Sequence, residues 1–280
     1  MLASITQKKF FKNIRRILSK SYAISEKNIR MQLRFKYTLI VGYITPLISI
    51  IMPFFIFGKL FENNPNYGPW NEKNFIVFLF ISYNLLLMRI ILTGIPQRLN
   101  EEKFWKTLPA LIVAPFNRFY LLIGYFISEF FVVCIPFFII FITLLFVWPI
   151  SFGTAVVILL IYISVAFIFS GIGLIIGVFA ISNENVWGFL RFGISVILIM
   201  SCITYPYEIF PESVQSWIKY NPIYYIIDIL RLLWIEDSII YTVTTHLPHF
   251  AVWLTGLIVF PLIGVYFFNY VFKKLGISGY

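Results

Sequence analysis

The chain has 280 residues, of which 60% are hydrophobic, 20% aromatic and only 12% charged. Water-soluble domains carry about 25% charged residues, so this sequence lacks the polar surface to stay dispersed in water, and disordered, collagenous and nucleic-acid-binding classes are excluded with the soluble ones. The formal charge of +10, from 22 Lys and Arg against 12 Asp and Glu, therefore speaks first about orientation in a bilayer.

In chain order, residues 1–37 form the first predicted unit. At 100° per residue, Phe10, Phe11, Ile14, Ile17, Leu18 and Tyr22 fall in one arc and Lys8, Lys9, Lys12, Arg15, Arg16 and Lys20 in the other. An apolar stripe under a cationic face predicts a cytoplasmic amphipathic helix on anionic lipid, with docking on a partner protein as the alternative. The rest, 38–280, reads as an all-α transmembrane domain. A span needs about 20 mostly apolar residues, and six runs qualify: 38–58, 74–96, 119–147, 153–181, 186–205 and 247–270.

Segment 206–237 is too short in its apolar part to cross, and Pro206, Pro211 and Pro222 break it from its neighbours. Two short helices in the outer leaflet are predicted there. A seventh crossing would put Lys273 and Lys274 outside. The six-span arrangement leaves 17 Lys and Arg on one side and four on the other, which predicts both termini in the cytoplasm of a multi-pass plasma-membrane protein. Cys134 and Cys202 lie in apolar runs and read as small buried hydrophobes rather than a disulfide or thiolate site.

Residues 97–118 carry the most specific pattern: Gln97-Arg-Leu-Asn-Glu-Glu-Lys-Phe-Trp-Lys-Thr-Leu-Pro109, then Pro115-Phe-Asn-Arg118 and Gly124. This resembles the cytoplasmic loop of ABC-2 type permeases, the membrane subunits of ATP-binding cassette exporters, in which a charged stretch leads through Thr-Leu to a Pro-x-x-Arg turn. The later Pro206-Tyr-Glu-Ile-Phe-Pro211, Asn221-Pro222, Asp228 and Arg231 resemble that family's outer segment. The resemblance implies a coupling helix seated in an ATPase groove, with Glu101, Glu102, Trp105, Lys106 and Thr107 as its contacts. It also implies two ATPase subunits and a second permease copy, in a homodimer, as partners. ATP and magnesium would belong to the partner ATPase, because no Gly-x-x-x-x-Gly-Lys-Ser/Thr run occurs in this chain. The outer gate would comprise Pro206, Glu208, Pro211, Asn221, Pro222, Asp228 and Arg231.

Arg89 and Glu129 are ionisable residues inside predicted spans, where charge is expensive unless paired or hydrated. From a rise of about 1.5 Å per residue, Arg89 lies about 11 Å above Pro96 and Glu129 about 15 Å above Phe119. A buried ion pair bracing that hairpin is expected, with cavity lining as the other reading. Asp228 and Arg231, three apart, are read as a local pair or a gate contact. His246 and His249 are too weak for a metal site without further ligands. Ala166, Ser170, Gly173 and Gly177 form a small-residue stripe that fits either a same-chain helix or a second copy.

The expected function is a permease moving an amphipathic substrate, a drug, lipid or lipid-linked glycan, outward on ATP hydrolysed by a separate subunit. Tyr43-Ile-Thr-Pro46 stands where glycan-exporting relatives have paired tryptophans, which weighs against the glycan. A lipid-modifying membrane enzyme and a channel or regulator without active transport are the alternatives, the former requiring a cluster of reactive side chains at one interface.

Overall fold

The computed structural model describes residues 19–63, 66–113, 118–182 and 186–274. The cationic residues 8–16 of the predicted amphipathic helix lie outside them. A helix occupies 19–34 (α1) and is followed by α2 (Lys36–Asn63), a two-stranded hairpin of β1 (Asn66–Tyr67) and β2 (Trp70–Asn71), and α3 (Phe75–Phe104). Next come α4 (Leu108–Val113), α5 (Arg118–Val147), α6 (Phe152–Ser182) and α7 (Trp187–Ile199). The outer segment holds a 3-10 turn at Tyr207–Ile209, then α8 (Glu212–Ile218), α9 (Pro222–Glu236) and α10 (Ile239–Thr245) before α11 (Leu247–Lys274).

Among the described residues five helices, α2, α3, α5, α6 and α11, are long and apolar enough to cross a membrane. The run 186–205, expected as a sixth span, is instead the 13-residue α7 followed by irregular backbone. At about 1.5 Å per residue this helix is about 20 Å long, short of a hydrocarbon core of about 30 Å. Its end is marked by Cys202 at φ 56°, a left-handed conformation that stops helical propagation.

Helices α3 and α6 form the centre. The apolar window of α3 is 78% buried and that of α6 56%, against 11% for α2, so α2 stands at the periphery with most of its circumference uncovered. The α3–α6 crossing follows from Pro96. A proline inside a helix removes the N–H that would bond four residues back, which frees the Leu92 carbonyl. A Cβ placed on Gly173 of α6 would sit 2.7 Å from that oxygen, and one on Gly177 would sit 3.1 Å from the Pro96 Cα. The small-residue stripe is therefore used within the chain, against α3.

On its other side α6 meets α11 through Gly171, against Pro261. Trp253 Nε1 of α11 donates to Ser164 Oγ of α6 at 2.6 Å. A second apolar cluster of Phe57, Phe61, Trp70, Phe75 and Phe78 joins the ends of α2 and α3 to the hairpin, with Tyr205 and Ile209 packed against it. This cluster anchors the outer segment on the end of the bundle opposite α4.

Candidate functional site

The predicted coupling stretch is not a loop throughout. Helix α3 continues through Pro96 to Phe104 and ends in a tight turn, with Lys106 at φ 59° and Thr107 N–H donating to Glu102 O at 3.0 Å. Helix α4 follows at once. Phe104 is 82% exposed and Trp105 47% exposed, and Lys106 is exposed beside them. Glu102 points the other way and is 96% buried, its carboxylate held by Lys27 of α1 and by the Thr107 hydroxyl. The five residues expected at an ATPase surface thus divide. Trp105 and Lys106 form the outward tip, Glu102 and Thr107 shape the turn behind it, and Glu101 is paired with Arg98 at 2.8 Å.

Behind the turn α1, α3 and α5 meet around buried polar groups. Arg98 Nε donates to Glu129 Oε1 at 3.3 Å, and Gln32 Nε2 donates to the same oxygen at 2.6 Å. Ser21 Oγ donates to Tyr120 O at 3.2 Å, and Ile24 packs so tightly on Gly124 that a Cβ there would lie 2.7 Å away. Lys103 Nζ donates to Ile181 O at 3.1 Å, which ties the end of α3 to the end of α6. The tip is thus tied to α1, α5 and α6 behind it.

The expected Arg89–Glu129 pair does not form. Glu129 belongs to Arg98 and Gln32, while Arg89 Nη2 donates to Ser195 Oγ of α7 at 3.3 Å. The comparison of depths left out direction around the helix. Arg89 and Arg98 are nine residues apart, half a turn out of phase at 100° per residue, and Glu129 packs on the Gly94–Arg98 side. Sequence reading also missed Gln32 and Lys27. For Gln32 the signal was the spacing of Ser21, Ser25, Asn28 and Gln32, one face of α1 that is buried and polar while Tyr22 and Leu33 are exposed.

In the outer segment, Arg231 is the organising residue. Its Nη2 donates to the Cys202 and Ile203 carbonyls, the latter at 2.9 Å, and its guanidinium lies 4.2 Å from the Phe78 ring centroid. Backbone that leaves a helix at membrane depth must find internal partners, and Arg231 supplies them. Asp228, three residues away, is 3.9 Å from Arg231 and 3.4 Å from His249 Nε2, while His246 Nε2 sits 3.0 Å from Glu236.

Asn221 caps α9 by accepting the Ile223 N–H at 3.0 Å, with Pro222 in the first turn, and its amide donates to Ser201 Oγ at 2.9 Å. Pro206 and Pro211 precede the 3-10 turn and α8. Glu208 lies in that turn against Gly68, and burial raises its carboxyl above the ordinary value. Asp237 closes α9 at φ 43° and accepts the Ser151 N–H at 2.9 Å, joining the segment to the α5–α6 turn.

Five apolar helices of crossing length among the described residues mark a multi-pass membrane protein. The family model for the ABC-2 type transporter matches residues 22–234. The chain belongs to that family, whose permeases work with an ABC ATPase partner. The match begins inside α1 and ends inside α9. No curated protein matches the chain significantly.

Proposed function

We propose that the chain is the transmembrane half of an ABC exporter, in which two copies and two ATPase subunits move an amphipathic molecule outward. The observation that carries this is the exposed Phe104–Trp105–Lys106 tip, braced from behind by Glu102, Lys27 and Thr107. An apolar ring beside a lysine on a rigid turn suits a groove on a partner that rotates as it binds and hydrolyses ATP. Both termini then lie in the cytoplasm, α1 rests on the inner leaflet with Tyr22 and Leu33 toward lipid, and α7 with the irregular residues after it makes the remaining crossing.

The uncovered face of α2 is where a second copy fits. Ile48, Phe54 and Phe55 of α2 are all more than half exposed. Co-purification of the chain with a cassette ATPase tests the proposal. Trp105→Ala and Lys106→Glu are expected to lower substrate-stimulated ATP turnover about tenfold or more without changing thermal stability. Unchanged turnover in both variants, or no associating ATPase, would refute it.

A further inference from the structure

Arg89 stands at the middle of α3, 14 residues after its first and 15 before its last residue. Glu129, the nearest candidate by depth, is taken by Arg98 and Gln32, and among the described residues no carboxylate lies within ion-pair distance of Arg89. A guanidinium carries five N–H donors. One is directed to Ser195 Oγ at 3.3 Å, at the long end of a hydrogen bond. Ser195 itself donates to the Arg191 carbonyl at 3.1 Å, so its oxygen is a neutral acceptor only.

Arg89 also lines a groove of about 260 Å³ between α2 and α3, together with Gly42, Thr45, Pro46, Ser49 and Thr93 among others. The hydroxyls there give their protons to their own helices: Thr45 to Val41 O at 2.7 Å, Ser49 to Thr45 O at 3.0 Å and Thr93 to Arg89 O at 3.1 Å. None donates toward Arg89, so Arg89 is the strong donor of the groove. An ionisable group at mid-bilayer depth is accommodated by a counter-charge or by water, and such residues mark ligand paths. Guanidinium matches carboxylate and phosphate with two parallel hydrogen bonds.

The wall beside it is apolar. Phe192, Ser195 and Ile199 share one face of α7 at i, i+3 and i+7, with Phe192 68% and Ile199 56% exposed. A molecule held by its anion at Arg89 would therefore have an uncovered hydrocarbon surface on each side of Ser195.

We propose that Arg89, in the groove between α2 and α3 and beside α7, binds the negatively charged head group, a phosphate or carboxylate, of an amphiphile that the protein carries. The binding stands on the groove alone; the carrying rests on the permease reading. The test therefore has two arms. In the first, the full-length chain without any ATPase is placed in nanodiscs of neutral phosphatidylcholine. Binding of dodecyl phosphate is compared with that of zwitterionic dodecylphosphocholine.

Saturable binding of the phosphate only is expected. It should be weakened about tenfold or more by Arg89→Gln, largely kept by Arg89→Lys, and lost when Gly42→Leu fills the groove with the charge intact. Equal binding of both probes, or no effect of Arg89→Gln in a variant with wild-type thermal stability, overturns the site. In the second arm, dodecyl phosphate is expected to raise ATP turnover of the permease–ATPase complex in an Arg89-dependent way. Binding without that response overturns the cargo assignment and identifies a resident-lipid site. Absence of an associating ATPase overturns the permease reading and leaves the first arm untouched.

Discussion

Gly94 of α3 lies directly beneath the Glu129 carboxylate of α5, so closely that a Cβ on it would stand 2.6 Å from Oε2. The glycine lets Arg98, one turn further along, reach the same carboxylate at 3.3 Å. Gly94→Ala is expected to displace Glu129 and cost about 1–3 kcal/mol. Arg98→Gln, which leaves a buried carboxylate without its cation, should cost about 3–5 kcal/mol. Thermal melting in nanodiscs checks both. The joint replacement Arg98→Leu with Glu129→Leu should melt closer to wild type than Arg98→Gln does, and additive losses would argue against the pair.

Lys27 links α1 to the turn through Glu102. Its side chain is half exposed, so its stabilising effect is small, about 1 kcal/mol or less. The larger effect should be on coupling. Lys27→Ala is expected to leave basal ATP turnover near wild type while lowering transport per ATP hydrolysed, and Glu102→Gln in the same chain should restore part of it. A Lys27→Ala protein with unchanged transport per ATP would show that α1 does not participate.

Gly173 faces the Leu92 carbonyl that Pro96 leaves without a helical donor. Because the obstacle is backbone, Gly173→Ala forces α3 and α6 apart and should cost about 2 kcal/mol. Gly58, which has open space where a Cβ would go, is the control, and Gly58→Ala should melt with the wild type.

Arg231→Leu removes the donor that serves the Cys202 and Ile203 carbonyls. The Ile203 carbonyl keeps the Ser82 hydroxyl as a donor, so one buried acceptor is left unpaired, and a loss of about 1–3 kcal/mol is expected, with earlier proteolysis between α7 and α8. Asp228→Asn should be far milder, because that carboxylate is 3.9 Å from Arg231. Equal losses in the two variants would contradict this assignment.

Burial holds the Glu208 carboxyl above its ordinary value of 4.5. The folded protein thus binds more protons than the unfolded one between 4.5 and the raised value, so stability falls as pH rises through that window. Glu208→Gln removes this dependence. Its melting temperature relative to wild type should rise from pH 4 upward and level off above the folded pKa. A constant difference across pH would show that the carboxyl is not perturbed. Gly68, at φ 60° against this side chain, should not accept alanine at any pH.

The long helices were legible because hydrocarbon imposes one rule on every crossing segment. The predicted 38–58, 119–147, 153–181 and 247–270 fall inside helices of 28 to 31 residues, and 74–96 begins one residue before the 30-residue α3. The run 186–205 misled because composition registers apolarity and not backbone path. Pro206 and the left-handed Cys202 lie at its edge, and the carbonyls released there are satisfied by Arg231, almost 30 residues later. The charged stretch from Glu101 to Thr107 stood out in the sequence, but not which of its side chains turn inward.

By itself the sequence determined a helical membrane protein and the approximate ends of its long helices, since these follow from apolar run length. Only the tertiary structure decided that Glu129 belongs to Arg98 and that Arg89 is left facing a groove. The reason is rotational: rise along an axis can be counted from the chain, whereas the direction in which a side chain leaves its helix becomes a contact only once the neighbouring helices have packed.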